Sequence, residues 1–276
     1  MKRETVKILG IKLDSITTAE AVSKLGEFMD SGKPNLLTTP NTEFLIAAQS
    51  DLEFMDLLNN KSKLNLPDSY GVIWAAKFLS MKTVKIPLIR EIIIIFEWLL
   101  SVFLLPIFAR SYLGPLKEKI SGSDFIWDIS RFAAKNKFKI FLLGGAPTVA
   151  ERVALRLQTD IYGLKIAGVN SGTPKESEEI IAAINKSRAD MILVAFGAPK
   201  QEKWLAANLK RTCCKIGIGL GGSFDFIAGT RQRAPRWMQK TGLEWLFRLA
   251  VEPSRIKRQF SIPKLMWLVL KEKLQG

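Results

Sequence analysis

Two stretches decide the fold: A-F-G-A-P-K-Q-E-K-W (Ala195 to Trp204) and G-L-G-G-S-F-D-F-I-A-G-T-R-Q-R-A-P-R (Gly219 to Arg236). Met191 to Phe196 is a short apolar run that predicts a buried strand. Gly197, Ala198 and Pro199 break it, and Lys200 to Leu209 has helical spacing. A strand that stops at small residues and opens into a helix leaves free backbone N–H groups at the helix start, which suits phosphate. Cys214 to Leu220 repeats the strand, Gly221 and Gly222 allow a tight turn, and Asp225 follows between two phenylalanines. With Arg231, Arg233 and Arg236 next, the pattern is a nucleotide cradle backed by a cationic arm.

Working outward, strands alternate with helices on both sides. Val6 to Leu9, Leu36 to Thr39, Lys63 to Leu66, Lys139 to Leu143 and Leu164 to Val169 read as strands. Thr17 and Glu20 have capping-box spacing, and Asn41 and Asp51 suit helix starts. The alternation predicts an α/β class protein, a Rossmann-like parallel sheet flanked by helices. Ligands of such sheets bind at the carboxyl ends of the strands. Thr39, Asp68, Gly144, Gly197 and Gly221 all fall at strand ends, so one rim can gather them. The G-I-G-L-G-G run at Gly217 to Gly222 has the wrong spacing for a dinucleotide fingerprint, and no clear helix is expected after it.

Composition narrows the chemistry. The 276 residues carry a net charge of +15, which calls for an anionic partner. There is no histidine, which excludes Ser-His-Asp and Cys-His catalysis and any His-ligated metal. The two cysteines, Cys213 and Cys214, are adjacent and cannot staple distant segments. The N-terminal residues lack an apolar signal core, so no secretion signal is expected.

Two segments do not fit a plain sheet. Residues 86–113 contain I-I-I-I-F-E-W-L-L-S-V-F-L-L-P-I-F-A (Ile92 to Ala109), close to the roughly 20 apolar residues of a membrane span. A single crossing would put Asp68 and the Gly144 loop on opposite sides of the bilayer. The segment is therefore expected to dip into one leaflet or lie on it, as a membrane-associating insertion in a domain of residues 1–230. A buried helix or an interface in a homo-oligomer are the alternatives. The second segment, 231–276, has eleven basic residues against three acids and interleaves Trp237, Trp245, Phe247, Phe260 and Trp267. It is expected to be a basic helical C-terminal appendage at an anionic membrane surface. Its removal from Thr241 onward is expected to leave the sheet folded. Single-stranded nucleic acid suits the same mixture, but no RNA-binding signature accompanies it, so no nucleic acid is expected.

The motifs also carry a resemblance. T-P-N at Thr39 to Asn41, L-P-D at Leu66 to Asp68, G-S-D at Gly122 to Asp124 and L-L-G-G at Leu142 to Gly145 come in order. G-A-P-K-Q-E at Gly197 to Glu202, G-G-S-F-D-F at Gly221 to Phe226, R-A-P at Arg233 to Pro235, G-L-E-W at Gly242 to Trp245 and E-P-S-R at Glu252 to Arg255 follow. Together they resemble the WecG/TagA/CpsF glycosyltransferases over nearly the whole chain. The resemblance implies inverting, metal-independent transfer of an N-acetylmannosamine-type sugar from a UDP donor, with no cofactor. It implies a polyprenyl-diphosphate-linked N-acetylglucosamine acceptor at the cytoplasmic side of the cell membrane, where the enzyme would be peripheral or monotopic. The products would be teichoic acid linkage units, enterobacterial common antigen or other surface polysaccharides. Two departures stand out: the apolar segment at 86–113, and Ser69 where glycine is usual.

With no histidine, a carboxylate is the natural base for the acceptor hydroxyl. Asp68 is the candidate by its loop position and by the resemblance. Its alternative is a turn or helix cap. Thr39 and Asn41 are candidates for holding sugar or acceptor, and Asn41 suits a helix cap in either case. Gly144, Gly145, Gly197, Ala198 and Gly222 are candidates to aim backbone N–H groups at the diphosphate, or are only turn glycines and small loop residues. Gln201 and Glu202 join them as substrate-binding candidates. Asp225 is read equally as a uridine or ribose ligand and as a cap. Arg231, Arg233, Arg236 and Arg255 are candidate diphosphate ligands, against a solvated basic face. A membrane-docked nucleotide-binding protein without catalysis is the competing reading.

Overall fold

The computed structural model describes residues 4–84, 86–108 and 114–276. Strands β1 (Thr5–Ile8) and β2 (Ile11–Asp14) form an antiparallel hairpin. Leu9 and Gly10 join them with positive φ at both positions, the turn whose twist matches that of paired strands. The second strand is not predicted, because its four residues are too few to show a period.

The remaining strands are β3 (Asn35–Thr38), β4 (Ser62–Asn65), β5 (Lys139–Gly144), β6 (Lys165–Asn170), β7 (Met191–Ala195) and β8 (Ile216–Gly219). They form one sheet in the order β4-β3-β8-β7-β5-β6, and every neighbouring pair is parallel. All carboxyl ends therefore share one edge, as the alternation predicts. The hairpin is tied to the outer strand through Asn65. Its N–H donates to Asp14 Oδ2 at 2.6 Å, and its Nδ2 donates to the carbonyls of Lys12 and Leu58.

Side chains alternate across the sheet. Ile140, Leu142, Met191, Leu193, Ile216 and Ile218 face helices Thr18–Asp30, Gly122–Lys135 and Val149–Asp160. Phe141, Leu143, Ile192 and Val194 face the other layer, with helices Thr42–Ala48, Tyr70–Ser80, Ser177–Ser187 and Lys200–Asn208. On that second face β8 carries only Gly217 and Gly219. A Cβ on Gly217 would stand 2.8 Å from Leu205 Cδ2, and one on Gly219 would stand 2.6 Å from Gln201 Nε2. The glycine run thus lets helix Lys200–Asn208 lie directly on the strand. A five-residue helix, Ser223–Ile227, does follow it, contrary to expectation.

The apolar segment forms helix Pro87–Phe108; residues 109–113 of the expected insertion lie outside the described residues. Among the described residues, no helix is long and apolar enough to cross a membrane. One face of this helix packs on protein. Ile94 is buried, Ser101 Oγ accepts from Trp74 Nε1, and Trp98 Nε1 donates to the Met266 carbonyl, both at 2.9 Å. Arg90 donates to the carbonyls of Lys273 and Leu274. The other face leaves Ile92, Ile95, Phe96, Leu99, Leu100 and Phe103 exposed.

The tail is not uniform. Helices Arg236–Thr241, Glu244–Val251 and Ile256–Gln259 bury no residue fully. Helix Ser261–Gln275 is different: Leu265, Val269 and Leu270 join the same core cluster as Trp74 and Phe78. Lys273 is buried too, its Nζ donating to the carbonyls of Leu79 and Met81. The expectation that removal from Thr241 leaves the sheet folded thus meets a last helix whose apolar side chains are part of the core. Burying each such aliphatic side chain contributes about 1.5–3 kcal/mol, so the last helix belongs to the fold.

Candidate active site

The shared strand edge opens into a cavity of about 720 Å³. β3 leads to Thr39 and Asn41, β4 to Asp68, β7 to Gly197 and Ala198, and β8 to Gly221 and Gly222; all of these line it. The tail closes the other side with Gly242, Glu244, Arg248 and Arg255. The cavity therefore lies between the sheet edge and the C-terminal helices.

Asp68 sits on the loop between β4 and helix Tyr70–Ser80. It does not cap that helix: Ser69 is the cap, its hydroxyl accepting from the Val72 N–H at 3.3 Å. The Asp68 carboxylate reaches instead to helix Gly122–Lys135, where Oδ2 accepts the Gly122 N–H at 3.1 Å. Burial pushes its pKa up from 3.8 to about 6, against the opposing pull of Lys119 and the Gly122 N–H. A carboxylate so poised takes a proton near neutral pH, which general-base chemistry needs. Lys119 lies over the Tyr70 ring, 5.0 Å from its centroid. No motif marks Lys119, because it matters only through a tertiary contact.

Thr39 is buried beside Asp68's backbone, whose N–H donates to the Pro40 carbonyl. Asn41 caps helix Thr42–Ala48, its Oδ1 accepting from the Phe44 N–H at 3.2 Å, while it also lines the cavity.

The glycine loops do less than the sequence suggests. Gly144 takes φ +89°, and a Cβ there would stand 3.0 Å from the Ala195 carbonyl carbon, so close strand packing requires glycine. Gly144 does not line the cavity, whereas Gly145 does, and the Gly145 N–H is already given to the Ala195 carbonyl at 3.1 Å. The Gly197 N–H is likewise engaged, donating to Gln201 Oε1 at 3.0 Å. Those two N–H groups are thus not aimed at an outside ligand. Glu202 does not line the cavity either. It is fully buried behind Gln201, and burial pushes its pKa from 4.5 to about 7.

The arginines separate by partner. Arg231 and Arg255 line the cavity and share Glu252: Arg231 Nη1 stands 2.5 Å from Glu252 Oε2 and Arg255 Nε 2.9 Å from it. Arg231 Nε also pairs with Asp225 at 3.2 Å; Asp225 lines the cavity and does not cap its helix, whose N-cap is Gly222. Arg233 holds Asp124 through both Nη atoms, at 2.5 and 2.8 Å, and is outside the lining. Arg236 is exposed and also outside it. The arginine that the sequence reading missed is Arg248. Its guanidinium lies 4.9 Å from the Phe226 ring centroid, and among the described residues no carboxylate pairs with it. Its buried Nε has no hydrogen-bond partner among the described residues, and burial lowers its pKa. A half-buried cation that lines the cavity, with Glu244, Glu43 and Glu252 acting on it without forming an ion pair, is a ready ligand for phosphate. Only its place between G-L-E-W and E-P-S-R hints at it.

The chain matches the Glycosyl transferase WecG/TagA/CpsF family over residues 6–99 and 101–276. It belongs to that family. It is 31% identical over 246 residues to the N-acetylglucosaminyldiphosphoundecaprenol N-acetyl-beta-D-mannosaminyltransferase of Bacillus subtilis (strain 168), covering 89% of this chain and 82% of that protein. It is 27% identical over 270 residues to the protein of the same description from Staphylococcus aureus (strain MRSA252), covering 97% and 93%.

In this WecG/TagA/CpsF member the separated motifs meet as pairs. G-S-D meets R-A-P through Asp124 and Arg233. G-G-S-F-D-F meets E-P-S-R through the Asp225–Arg231–Glu252–Arg255 chain of charges. Ser69 serves the local fold by capping, and its hydroxyl lies 3.3 Å from Thr42 Oγ1.

Proposed function

We propose that this protein moves N-acetylmannosamine, or a related hexosamine, from a UDP donor to N-acetylglucosamine carried on a polyprenyl diphosphate. The observation that carries the reading is the pairing of Asp68, raised to about 6, with the unpaired Arg248 in one cavity. The relatives' activity toward diphosphoundecaprenol-linked N-acetylglucosamine supports the same substrates.

In this mechanism Asp68 takes the proton of the acceptor hydroxyl as that oxygen attacks the anomeric carbon. The bond from that carbon to the UDP oxygen breaks, and configuration inverts. Arg248, with Arg231 and Arg255 held by Glu252, meets the negative charge that grows on the departing diphosphate. Guanidinium groups fill the role that a metal fills elsewhere, so no metal is required. Thr39 and Asn41 hold the sugar against the base, and Gln201 fixes the loops around Gly197 and Gly221. Arg233 acts at one remove, bracing the tail against Asp124.

The same reading places the protein on the cytoplasmic face of the membrane. The exposed apolar face of helix Pro87–Phe108, with Phe260 and Trp267 also exposed, rests on lipid. The excess of basic residues in the tail favours an anionic surface. Residues 1–230 supply the base and sheet edge, and the tail supplies the cations.

The test is UDP release by the purified protein given UDP-N-acetylmannosamine and a short lipid-diphosphate N-acetylglucosamine acceptor, without added metal. Release that needs the acceptor and vanishes in Asp68→Asn supports the reading. Intact UDP binding with no release from any UDP-hexosamine leaves only a nucleotide-binding protein.

A further inference from the structure

Part of the cavity is lined by residues with no role in the transfer chemistry. Trp74, Val102, Ile262, Leu265 and Met266 form an apolar wall drawn from three helices, Tyr70–Ser80, Pro87–Phe108 and Ser261–Gln275. The polar atom of Trp74 is turned away into Ser101. The hydrogen bond from Trp98 to the Met266 carbonyl fixes the outer helix against the last one. Trp74 and Leu265 are buried beneath the wall, while Val102, Ile262 and Met266 are half-buried and form its surface. From Val102 the apolar surface continues outward, because Leu99 lies one turn before it and Phe103 one turn after Leu99, both exposed. The cavity thus joins a cationic region, with Arg231, Arg248 and Arg255, to an apolar track that leads to the protein's exposed apolar face. Its volume, about 720 Å³, is that of a small-molecule site.

We propose that this wall is a prenyl subsite, in which Val102, Ile262 and Met266 hold the first isoprene units of a prenyl diphosphate whose charged end reaches the cationic side of the same cavity. The inference rests on the transfer reading for its ligand class and adds where the lipid chain runs. Helix Pro87–Phe108 then forms one side of a lipid entry path, beyond any role as an anchor. A diphosphate followed directly by a branched hydrocarbon matches the adjacency of the two regions, and neither nucleotide nor free sugar does.

The experiment compares equilibrium binding of farnesyl diphosphate and inorganic diphosphate to the full chain, by calorimetry. The wild type is expected to bind farnesyl diphosphate at least about tenfold more tightly, the gain from burying about two methylene groups. Val102→Asp is expected to bring the two affinities within about twofold while leaving that for inorganic diphosphate unchanged. Ile262→Asn, on a different helix, is expected to do the same and covers the case in which Val102→Asp does not fold. Equal affinity of the wild type for the two ligands overturns the subsite, as does a folded variant that keeps the preference. A wild type that prefers farnesyl diphosphate yet transfers no sugar removes the transfer reading and leaves the subsite standing.

Discussion

Gln201 and Glu202 act as one clamp at the centre of the site. Glu202 Oε1 accepts from Gln201 Nε2 at 2.7 Å. Gln201 Oε1 in turn accepts the N–H of Gly197 at 3.0 Å and of Gly221 at 3.1 Å. The buried carboxyl thus fixes an amide that staples the loops after β7 and β8. Its other oxygen, Oε2, has no hydrogen-bond partner among the described residues.

A carboxyl in that position is costly to ionise, which sets a pH dependence. Its folded pKa of about 7 lies above the ordinary 4.5. The folded state therefore holds the proton more tightly, and stability falls as pH rises from about 4.5 through about 7. Through the whole window the change is roughly 3 kcal/mol. In Glu202→Gln this contribution is expected to flatten, with the variant more stable than wild type above pH 7. Urea melts at a series of pH values check it; a parallel slope in both proteins would remove Glu202 as the cause.

Asp68 gives a separate signature, in rate. It must be deprotonated to act as base, so kcat/KM is expected to fall as pH drops through about 6. Asp68→Asn is expected to lower kcat about 10²–10⁴-fold, with UDP-sugar binding within a few-fold. Lys119 holds the Asp68 pKa down, so Lys119→Met is expected to move the acid limb to higher pH. A limb that stays in place in that variant would show that another group titrates.

Arg248 is expected to trade stability for activity. Its charge is partly desolvated and no carboxylate pairs with it among the described residues, so removing that charge relieves a desolvation cost. Arg248→Met is therefore expected to raise Tm while lowering kcat by about 10²-fold, the scale of one lost electrostatic donor. A variant with lower Tm and normal kcat would make Arg248 a structural residue.

The tail should divide at Ser261. Truncation before that residue uncovers Trp74 and Phe78 and removes Leu265, Val269 and Leu270 from the core. Loss of the cooperative thermal transition is the expected outcome. A truncated chain that still melts cooperatively near the wild-type Tm would return the whole tail to the status of an appendage.

By itself the sequence determined the parallel sheet, since short apolar runs ending at Thr39, Leu66, Gly144, Gly197 and Gly221 alternate with helical spacing. It also placed the caps at Thr17, Asn41 and Asp51, which form as their local chemistry dictates. These features depend on neighbours along the chain. Tertiary structure alone decided that Ser69 caps and Asp68 does not, because that turns on where Gly122 lies. It alone decided that Gly145 and Gly197 spend their N–H groups inside the protein, and that Glu252 gathers two arginines while Arg248 is left unpaired. It also drew helix Ser261–Gln275 into the core, although its charges made it look like surface. A charge or an N–H has a role only relative to its partner, and for Asp68, Gly145 and Arg231 that partner comes from a distant part of the chain.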